Sequence, residues 1–217
     1  SRNWTGPDSL RKLAEVMRTT SYVKEVSLAH AHFSGHTSAR VLAEGMTRCA
    51  SLTTLLLYDC PVREGGAVVL ASVLKAGTCP LEALALIHCA IRDTGICALA
   101  EGVAVNQTLV YLNVAQNDVM DTGAGALAAA IKKSNTVKAI GIGSSTSQLT
   151  AKGVDALADA ILETKRFQEL ALYMPGEPGV TSKLIRAVVE SPSLQLLHLC
   201  ECKLSDEEVT QLATAWR

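Results

Sequence analysis

The sequence has no excess of charge of either sign: its 217 residues carry 20 Lys and Arg against 21 Asp and Glu, a net charge of −1. So small a net charge gives no broad electrostatic attraction to a phosphate backbone or an acidic lipid surface. No apolar run approaches the roughly 20 residues that span a bilayer. We therefore expect neither nucleic acid nor a membrane as a partner.

A secretion signal and paired cysteines are also missing. The first ten residues, SRNWTGPDSL, lack the basic and then apolar order of such a signal. The seven cysteines are an odd number, scattered in apolar contexts rather than at disulfide-like spacings. These features predict a reducing compartment, cytoplasmic or nuclear. Because the sequence opens on Ser1 rather than Met, we also expect a piece of a longer protein.

Motifs of the common enzyme classes are absent as well. The sequence contains no GxxxxGK[ST] phosphate loop, no HExxH, no GxSxG and no pair of CxxC knuckles. We therefore predict a protein that is not an enzyme and needs no cofactor and no metal.

What the sequence does contain is a repeat. One copy runs Leu52, Leu55, Leu57, Cys60, Val62, Gly66, Leu70, Leu74, and the next runs Leu81, Leu84, Leu86, Cys89, Ile91, Gly95, Leu99, Val103. Further copies begin at Val23, Leu109, Val137, Phe167 and Leu194, so the period is 27 to 30 residues. A period of this length is typical of solenoid proteins.

Each copy predicts one strand followed by one helix. The LxxLxL stretch alternates like a strand with one buried face, and GxxxLxxxL has helical spacing. One such unit cannot bury its own apolar face, so units must stack into a parallel sheet backed by helices, with right-handed connections. Because packed helices are wider than paired strands, the stack curves with the sheet inside.

The prediction is therefore an α/β right-handed solenoid, a horseshoe segment with the parallel sheet on the concave side and the helices on the convex side. Residues 1–217 are expected to form a single domain of about seven strand-helix units. An N-terminal helix around Leu10, Leu13 and Val16 precedes them, and Trp216 is expected to cover the other end of the core. Asp93 and Asp121 are placed to cap helix amides, and Ser205 with Glu208 has capping-box spacing.

The pattern resembles the leucine-rich repeats of the ribonuclease-inhibitor-like class, LxxLxLxxN/CxLxxxGxxxLxxxL, over residues 10–216. Members of this class include ribonuclease inhibitors, activators of the Ran GTPase, tropomodulin-like actin cappers and innate-immune receptors. The resemblance implies a protein-protein interaction module, a scaffold that binds another protein through its concave face and one rim. Cys60, Cys89 and Cys202 occupy the Asn/Cys position of the pattern, whereas Ala31, Ser145 and Pro175 depart from it.

Outward-facing strand positions supply the candidate partner-binding residues: Leu56, Tyr58, Ile87, Tyr111, Asn113, Lys138, Gly141, Gly143, Tyr173 and His198. The fifth strand is almost bare, which predicts a shallow groove over Ala139, Gly141 and Gly143 between two tyrosines. In that case a bulky residue at Gly141 abolishes binding and hardly changes the melting temperature. Alternatively, the small residues make room for tight curvature or for a large neighbouring side chain.

A second apolar strip runs through Leu56, Tyr58 and Ile87; it is either an interface or covered by a missing part of the same polypeptide. The long loops at 144–152 and 174–179 are neighbours on one rim. They are expected to border a binding site, unless rim loops simply vary freely.

Two polar arrangements leave their chemistry open. Three successive strands are each followed by a polar residue: His30, Asp59 and His88. Together they form either a solvated, hydrogen-bonded column or a weak metal site. Cys200 and Cys202 lie beside His198 in the sequence. They are either structural residues or part of a metal or redox site.

Two further functions remain as alternatives to a binding module. The chain could regulate a partner enzyme, as a small-GTPase activator does, with Asn113, Asn117, Arg63 or Arg92 completing the partner's active site. It could also serve as a structural spacer in a large assembly.

Overall fold

The computed structural model describes residues 7–146, 148–176 and 181–215. Seven strands follow one another in the chain: β1 (Glu25–Ala29), β2 (Thr54–Tyr58), β3 (Ala83–Ile87), β4 (Tyr111–Asn113), β5 (Ala139–Gly143), β6 (Glu169–Gly176) and β7 (Leu196–Cys202). Eight helices alternate with them: α1 (Pro7–Thr19), α2 (His36–Met46), α3 (Arg63–Ala76), α4 (Arg92–Val105), α5 (Asp121–Lys133), α6 (Ala151–Glu163), α7 (Ser182–Glu190) and α8 (Asp206–Ala215).

All seven strands form one parallel sheet, and their order in the sheet is their order in the chain. Equivalent positions of consecutive repeats pair in register, for example Leu55 with Leu84 and Leu57 with Leu86. Each helix packs against the helices before and after it, so a helical layer runs along one side of the sheet. The predicted α/β solenoid is confirmed.

The core lies between the sheet and the helices. Leucines of the LxxLxL stretch point into it and are fully buried, as Leu57 and Leu86 are, while the helices contribute Leu70 and Leu99. Phe167 is the largest of the fully buried side chains. Burial at these positions follows the repeat, because each one faces the corresponding residue of the next unit.

The Asn/Cys position of the repeat binds carbonyl groups along one edge of the core. The thiol of Cys89 donates to the carbonyl oxygens of Leu57 (3.5 Å) and Ile87 (3.4 Å). Asn117 at the same position of the next unit donates to the Leu86 carbonyl (2.6 Å) and accepts from the Cys89 amide (2.8 Å). These bonds satisfy backbone groups at strand ends that would otherwise be buried without a partner.

Of the predicted caps, the one before α8 is present. Asp93 and Asp121 instead lie in the first turns of α4 and α5 and bind the start of the following helix. Asp121, in the first turn of α5, accepts from the amides of Thr150 (2.8 Å) and Gly153 (3.0 Å) at the start of α6. Asp93 likewise accepts from the amide of Met120 at 2.7 Å. Ser205 and Glu208 form the expected capping box before α8. Carboxylates at these places are favoured because helix N-termini carry partial positive charge.

Some expectations differ from the structure. In α1, Leu10 and Met17 are buried but Val16 is 46% exposed. The buried face of this helix therefore includes Met17 in place of the expected Val16. β6 continues through Met174 to Gly176 with an irregular register against β7, where a loop was expected. Trp216 and the second half of the 174–179 loop lie outside the described residues. Within the described part of the chain, no helix is long and apolar enough to cross a bilayer.

Candidate protein-binding surface

Several of the predicted partner-binding residues lie side by side on the outward face of the sheet. Strand pairing places Leu56 beside Ala85, Tyr58 beside Ile87, and Asn113 beside Gly141. Residues two apart on one strand share this face, while the residues between them point into the core. The face therefore presents the side chains of β2, β3 and β4 as one continuous surface.

This surface is free of charge over three consecutive strands. Its outward positions are Thr54, Leu56 and Tyr58 on β2, Ala83, Ala85 and Ile87 on β3, and Tyr111 and Asn113 on β4. All of them are half-buried except Ala85, which is 1% exposed. We call these eight residues the concave patch.

Charged groups border the concave patch on both sides. Glu82 and Lys138 lie exposed where strands begin, and Asp59 and His88 lie exposed where strands end. The Asp59 carboxylate is hydrogen-bonded to His88 Nδ1 and lies 3.6 Å from His30 Nδ1. The hydrogen bond from His88 holds the pKa of Asp59 below its ordinary value of 3.8, and the charge of both imidazoles acts in the same direction.

The His30, Asp59 and His88 column at the border of the patch thus has one hydrogen bond, between Asp59 and His88, with His30 beside them. Its alternative interpretation as a metal site is not supported, since no group of three or more His, Cys, Asp or Glu residues suited to a metal ion occurs in the described ranges. The same finding gives no support to a metal site at Cys200, Cys202 and His198. Cys202 instead donates to the carbonyl oxygens of Leu172 and Cys200.

The prediction of an open groove over the fifth strand is wrong. All five residues of β5 are buried, including Ala139, Gly141 and Gly143. The side chain of Asn113 leans over Gly141, and a Cβ added there would lie 2.6 Å from the Asn113 Cγ and Oδ1 atoms. Asn113 is held by its bonds to the hydroxyl of Tyr111 (2.9 Å) and the amide of Ala115 (3.0 Å).

Gly143 is glycine for a different reason. Its φ is +95°, and an added Cβ would lie 2.0 Å from the backbone oxygen of Tyr173 on β6. Only a residue without a side chain fits so close an approach. The small residues of β5 therefore make room for neighbouring groups, which was the alternative interpretation from the sequence.

The remaining candidates lie apart from the concave patch. Tyr173 is half-buried, and its hydroxyl donates to Glu201 at 3.1 Å. His198 is exposed on β7, with Nε2 4.0 Å from a carboxylate oxygen of Glu169. Asn117, considered for a partner's active site, is 1% exposed and uses its amide for the backbone.

The first long rim loop, residues 144–152, is described except for residue 147. Thr146 donates to Asp118 (2.5 Å), and Leu149 is 5% exposed beneath the loop. Thr146 and Gln148 line a cavity of about 520 Å³ together with Asp118 and Met120. Sequence reasoning named this loop but missed the cavity's opposite wall, because Met120 occupies a position of the repeat with no distinctive pattern.

Sequence comparison with known proteins agrees with the repeat pattern. A family model described as "Leucine Rich repeat" matches residues 105–128. The chain is 28% identical over 198 residues to the human (Homo sapiens) NACHT, LRR and PYD domains-containing protein 14, covering 89% of this chain and 18% of that protein. It is also 28% identical to the Ribonuclease inhibitor of Mus musculus over 80% of this chain and 38% of the inhibitor. The chain thus spans less than a fifth of the length of the first of these relatives.

Solved structures share the fold. The tropomodulin C-terminal domain of Caenorhabditis elegans superposes with a TM-score of 0.60 at 16% identity, over 69% of this chain and 90% of that one. The leiomodin-1 structure titled "Actin-Binding Site 2" gives a TM-score of 0.58 at 15% identity, over 67% of this chain and 84% of that one. At such identities the likeness concerns the fold alone.

Proposed function

We propose that this leucine-rich repeat protein of the ribonuclease-inhibitor-like class binds a partner protein through its concave patch. The observation that carries the proposal is the absence of charge from the outward positions of β2 to β4. Half-buried Leu56, Tyr58, Ile87 and Tyr111 stand there side by side. The repeat likeness supports a protein-interaction module in general, and the patch supplies a place for the contact.

The composition of the patch and its border supports this proposal. Stable interfaces have an apolar, aromatic-rich centre surrounded by polar groups. Tyr58 and Ile87 pair in register within the patch, and Lys138, Asp59 and His88 supply the polar surroundings. Tyrosine is among the residues that contribute most to binding when they are fully covered.

The test compares capture of partner proteins by two charge-introducing variants. Ile87→Arg places a cation within the patch, and Val68→Arg places one on the convex side, where Val68 is 47% exposed. Immobilised wild-type chain captures partner proteins from an extract of the source cells. Immobilised Ile87→Arg is expected to capture at least about tenfold less of these proteins. They should be retained on Val68→Arg.

Quantitative mass spectrometry measures the captured proteins, and the melting temperature of each variant verifies folding. Equal capture by a folded Ile87→Arg variant would show that the concave patch is not the binding surface.

The cysteines bear on where in the cell the chain lies. All seven cysteines are free. Burial raises the pKa of Cys79 and of Cys89 to about 12, so these thiols stay protonated at neutral pH. Free buried thiols support an intracellular location, cytoplasmic or nuclear. We further propose that the chain is a non-enzymatic module of a longer protein, as its matched relatives are longer.

A further inference from the structure

A polar groove runs along the rim where the strands lead into the helices. One cavity of about 490 Å³ lies between the starts of α3 and α4, and the cavity of about 520 Å³ described above lies beyond α4. Glu64 and Arg92 line both, so the two cavities are adjacent, and we call them together the rim groove. No residue of the concave patch lines it.

The first half of the rim groove carries an excess of positive charge. Arg63 and Arg92 occupy equivalent positions of consecutive repeats, and both are exposed. Glu64 Oε1 lies 3.8 Å from Arg92 Nη1, and Arg63 forms no ion pair within the described ranges. This half is thus lined by two guanidinium groups and one carboxylate. A guanidinium with free donors is suited to bind a carboxylate by two parallel hydrogen bonds.

The second half carries the opposite charge. Asp118 is exposed and accepts a hydrogen bond from Thr146 Oγ1. Among the residues that the structure describes, no cation pairs with this carboxylate. Asp93 also lines this half, where it accepts from the Met120 amide. The groove is therefore positive toward α3 and negative toward the rim loop.

An exposed apolar side chain lines the second half, one repeat beyond Arg92. Met120 is 43% exposed, whereas Met17, Met46 and Met174 are at most 4% exposed. A polar groove that also holds an exposed apolar side chain offers a place for a partner's apolar residue.

We propose that the rim groove binds an extended segment of a partner protein, with an acidic residue at one end, an apolar residue in the middle and a basic residue at the other end. The acidic residue pairs with Arg63 and Arg92, the apolar side chain covers Met120, and the basic residue meets Asp118. From the second to the fifth repeat the groove crosses three unit spacings, about 15 Å at the strand side and about 30 Å at the helix side, which about five to nine extended residues fill. This site is separate from the concave patch and does not depend on it.

The test selects peptides from a phage-displayed library of random octapeptides on the wild-type chain. Selected peptides are expected to combine an acidic residue, an apolar residue and a basic residue in that spacing. Their affinity should fall at least about tenfold on the double variant Arg63→Glu/Arg92→Glu. It should stay unchanged on Arg40→Glu, an exposed cation of α2, and on Ile87→Arg, which separates this site from the concave patch.

The methionines provide a direct readout of where the peptide lies. In the spectrum of chain labelled with ¹³C at the methionine methyl groups, a bound peptide should shift the Met120 signal, assigned with Met120→Leu, and leave the three buried methionines nearly unchanged. No enriched peptide, equal binding to the folded double variant, or an unshifted Met120 signal would each overturn the proposal. Binding of inorganic phosphate alone, without any enriched peptide, would also overturn it in favour of a simple anion site.

Discussion

One side chain decides the character of the fifth strand. Asn113 covers Gly141 and is fixed by hydrogen bonds to Tyr111 and Ala115. A side chain at position 141 must push Asn113 away and break those bonds. The expectation that Gly141 can be enlarged without affecting stability therefore does not hold for this structure.

We predict that Gly141→Ala lowers the free energy of unfolding by about 1 to 3 kcal/mol, because the new Cβ overlaps the Asn113 amide. The loss should be smaller in an Asn113→Ala background, where the obstructing group is gone. Urea denaturation of the four proteins of this cycle measures both effects.

Gly125→Ala is the matched control for that cycle. Nothing lies within 4 Å of a Cβ added at Gly125 in α5, so alanine should stabilise the helix by about 0.5 to 1 kcal/mol. A Gly141→Ala variant as stable as Gly125→Ala would contradict the account of the fifth strand.

Residue roles set by the repeat could be predicted, whereas those set by neighbouring side chains could not. Cys89 and Asn117 fall at the one position of the pattern that must bind backbone groups, so their structural role follows from the spacing alone. A glycine on an outward strand position has two explanations, open space above it or a neighbour that fills the space. Sequence cannot separate them, because the rotamer of Asn113 depends on contacts with its own strand.

Between elements, acidic side chains connect consecutive helices at the rim. Asp121 belongs to α5 but accepts from Thr150 and Gly153 at the start of α6. Burial acts to raise the pKa of Asp121, but the hydrogen bonds from Thr150 and Gly153 outweigh it and hold the pKa below its ordinary value of 3.8. A lowered pKa in the folded state means that the ionised carboxylate stabilises the fold.

This contribution should be fully present above pH 3.8 and disappear as the pH falls through the folded-state pKa. Asp121→Asn should therefore cost about 1 kcal/mol at pH 7, and its stability should change less than that of the wild type between about pH 5 and pH 2. Thermal unfolding across this range measures the difference.

Asp8→Asn, on the exposed surface of α1, serves as the control and should follow the wild type. A constant gap between the wild type and Asp121→Asn at every pH would mean that the carboxylate charge is not what joins the two helices.

Strands and helices were predictable because apolar spacing fixes both. The LxxLxL stretch places Leu55 and Leu57 on one face, and no other element buries that pattern as simply. The extension of β6 to Gly176 was not predictable, since Pro175 cannot donate to a sheet ladder and normally ends a strand. The irregular register between Tyr173 and Gly176 accommodates it.

At the scale of the whole molecule, packing is uneven along the stack. Leu84 and Leu86 of β3 are at most 1% exposed, whereas the equivalent Leu197 and Leu199 of β7 are only partly buried. Each unit is stabilised by its own contacts and by its two neighbours. Within the described residues, the seventh unit has a paired strand on one side only.

Amide hydrogen exchange should therefore be faster in β7 and α8 than in β3 and α4, by at least about tenfold, because a less buried unit opens at lower free energy. Exchange measured by mass spectrometry on peptic fragments resolves these elements. Equal protection of β3 and β7 would instead indicate that the stack unfolds as one cooperative unit.

The concave patch could be located from sequence, but the rim groove could not. Register alone brings Tyr58 and Ile87 together, because every repeat contributes the same position. The rim groove depends on how the loop carrying Thr146 and Gln148 folds back toward Arg92, and that loop is the one place where two extra residues break the period.

Strict order in the sheet also bears on how such a chain can evolve. Since β4 touches only β3 and β5, duplication or loss of a whole unit leaves most other junctions intact. Natural variants can therefore lengthen or shorten the array by integral steps, and each step moves existing recognition residues relative to one another without redesigning any of them.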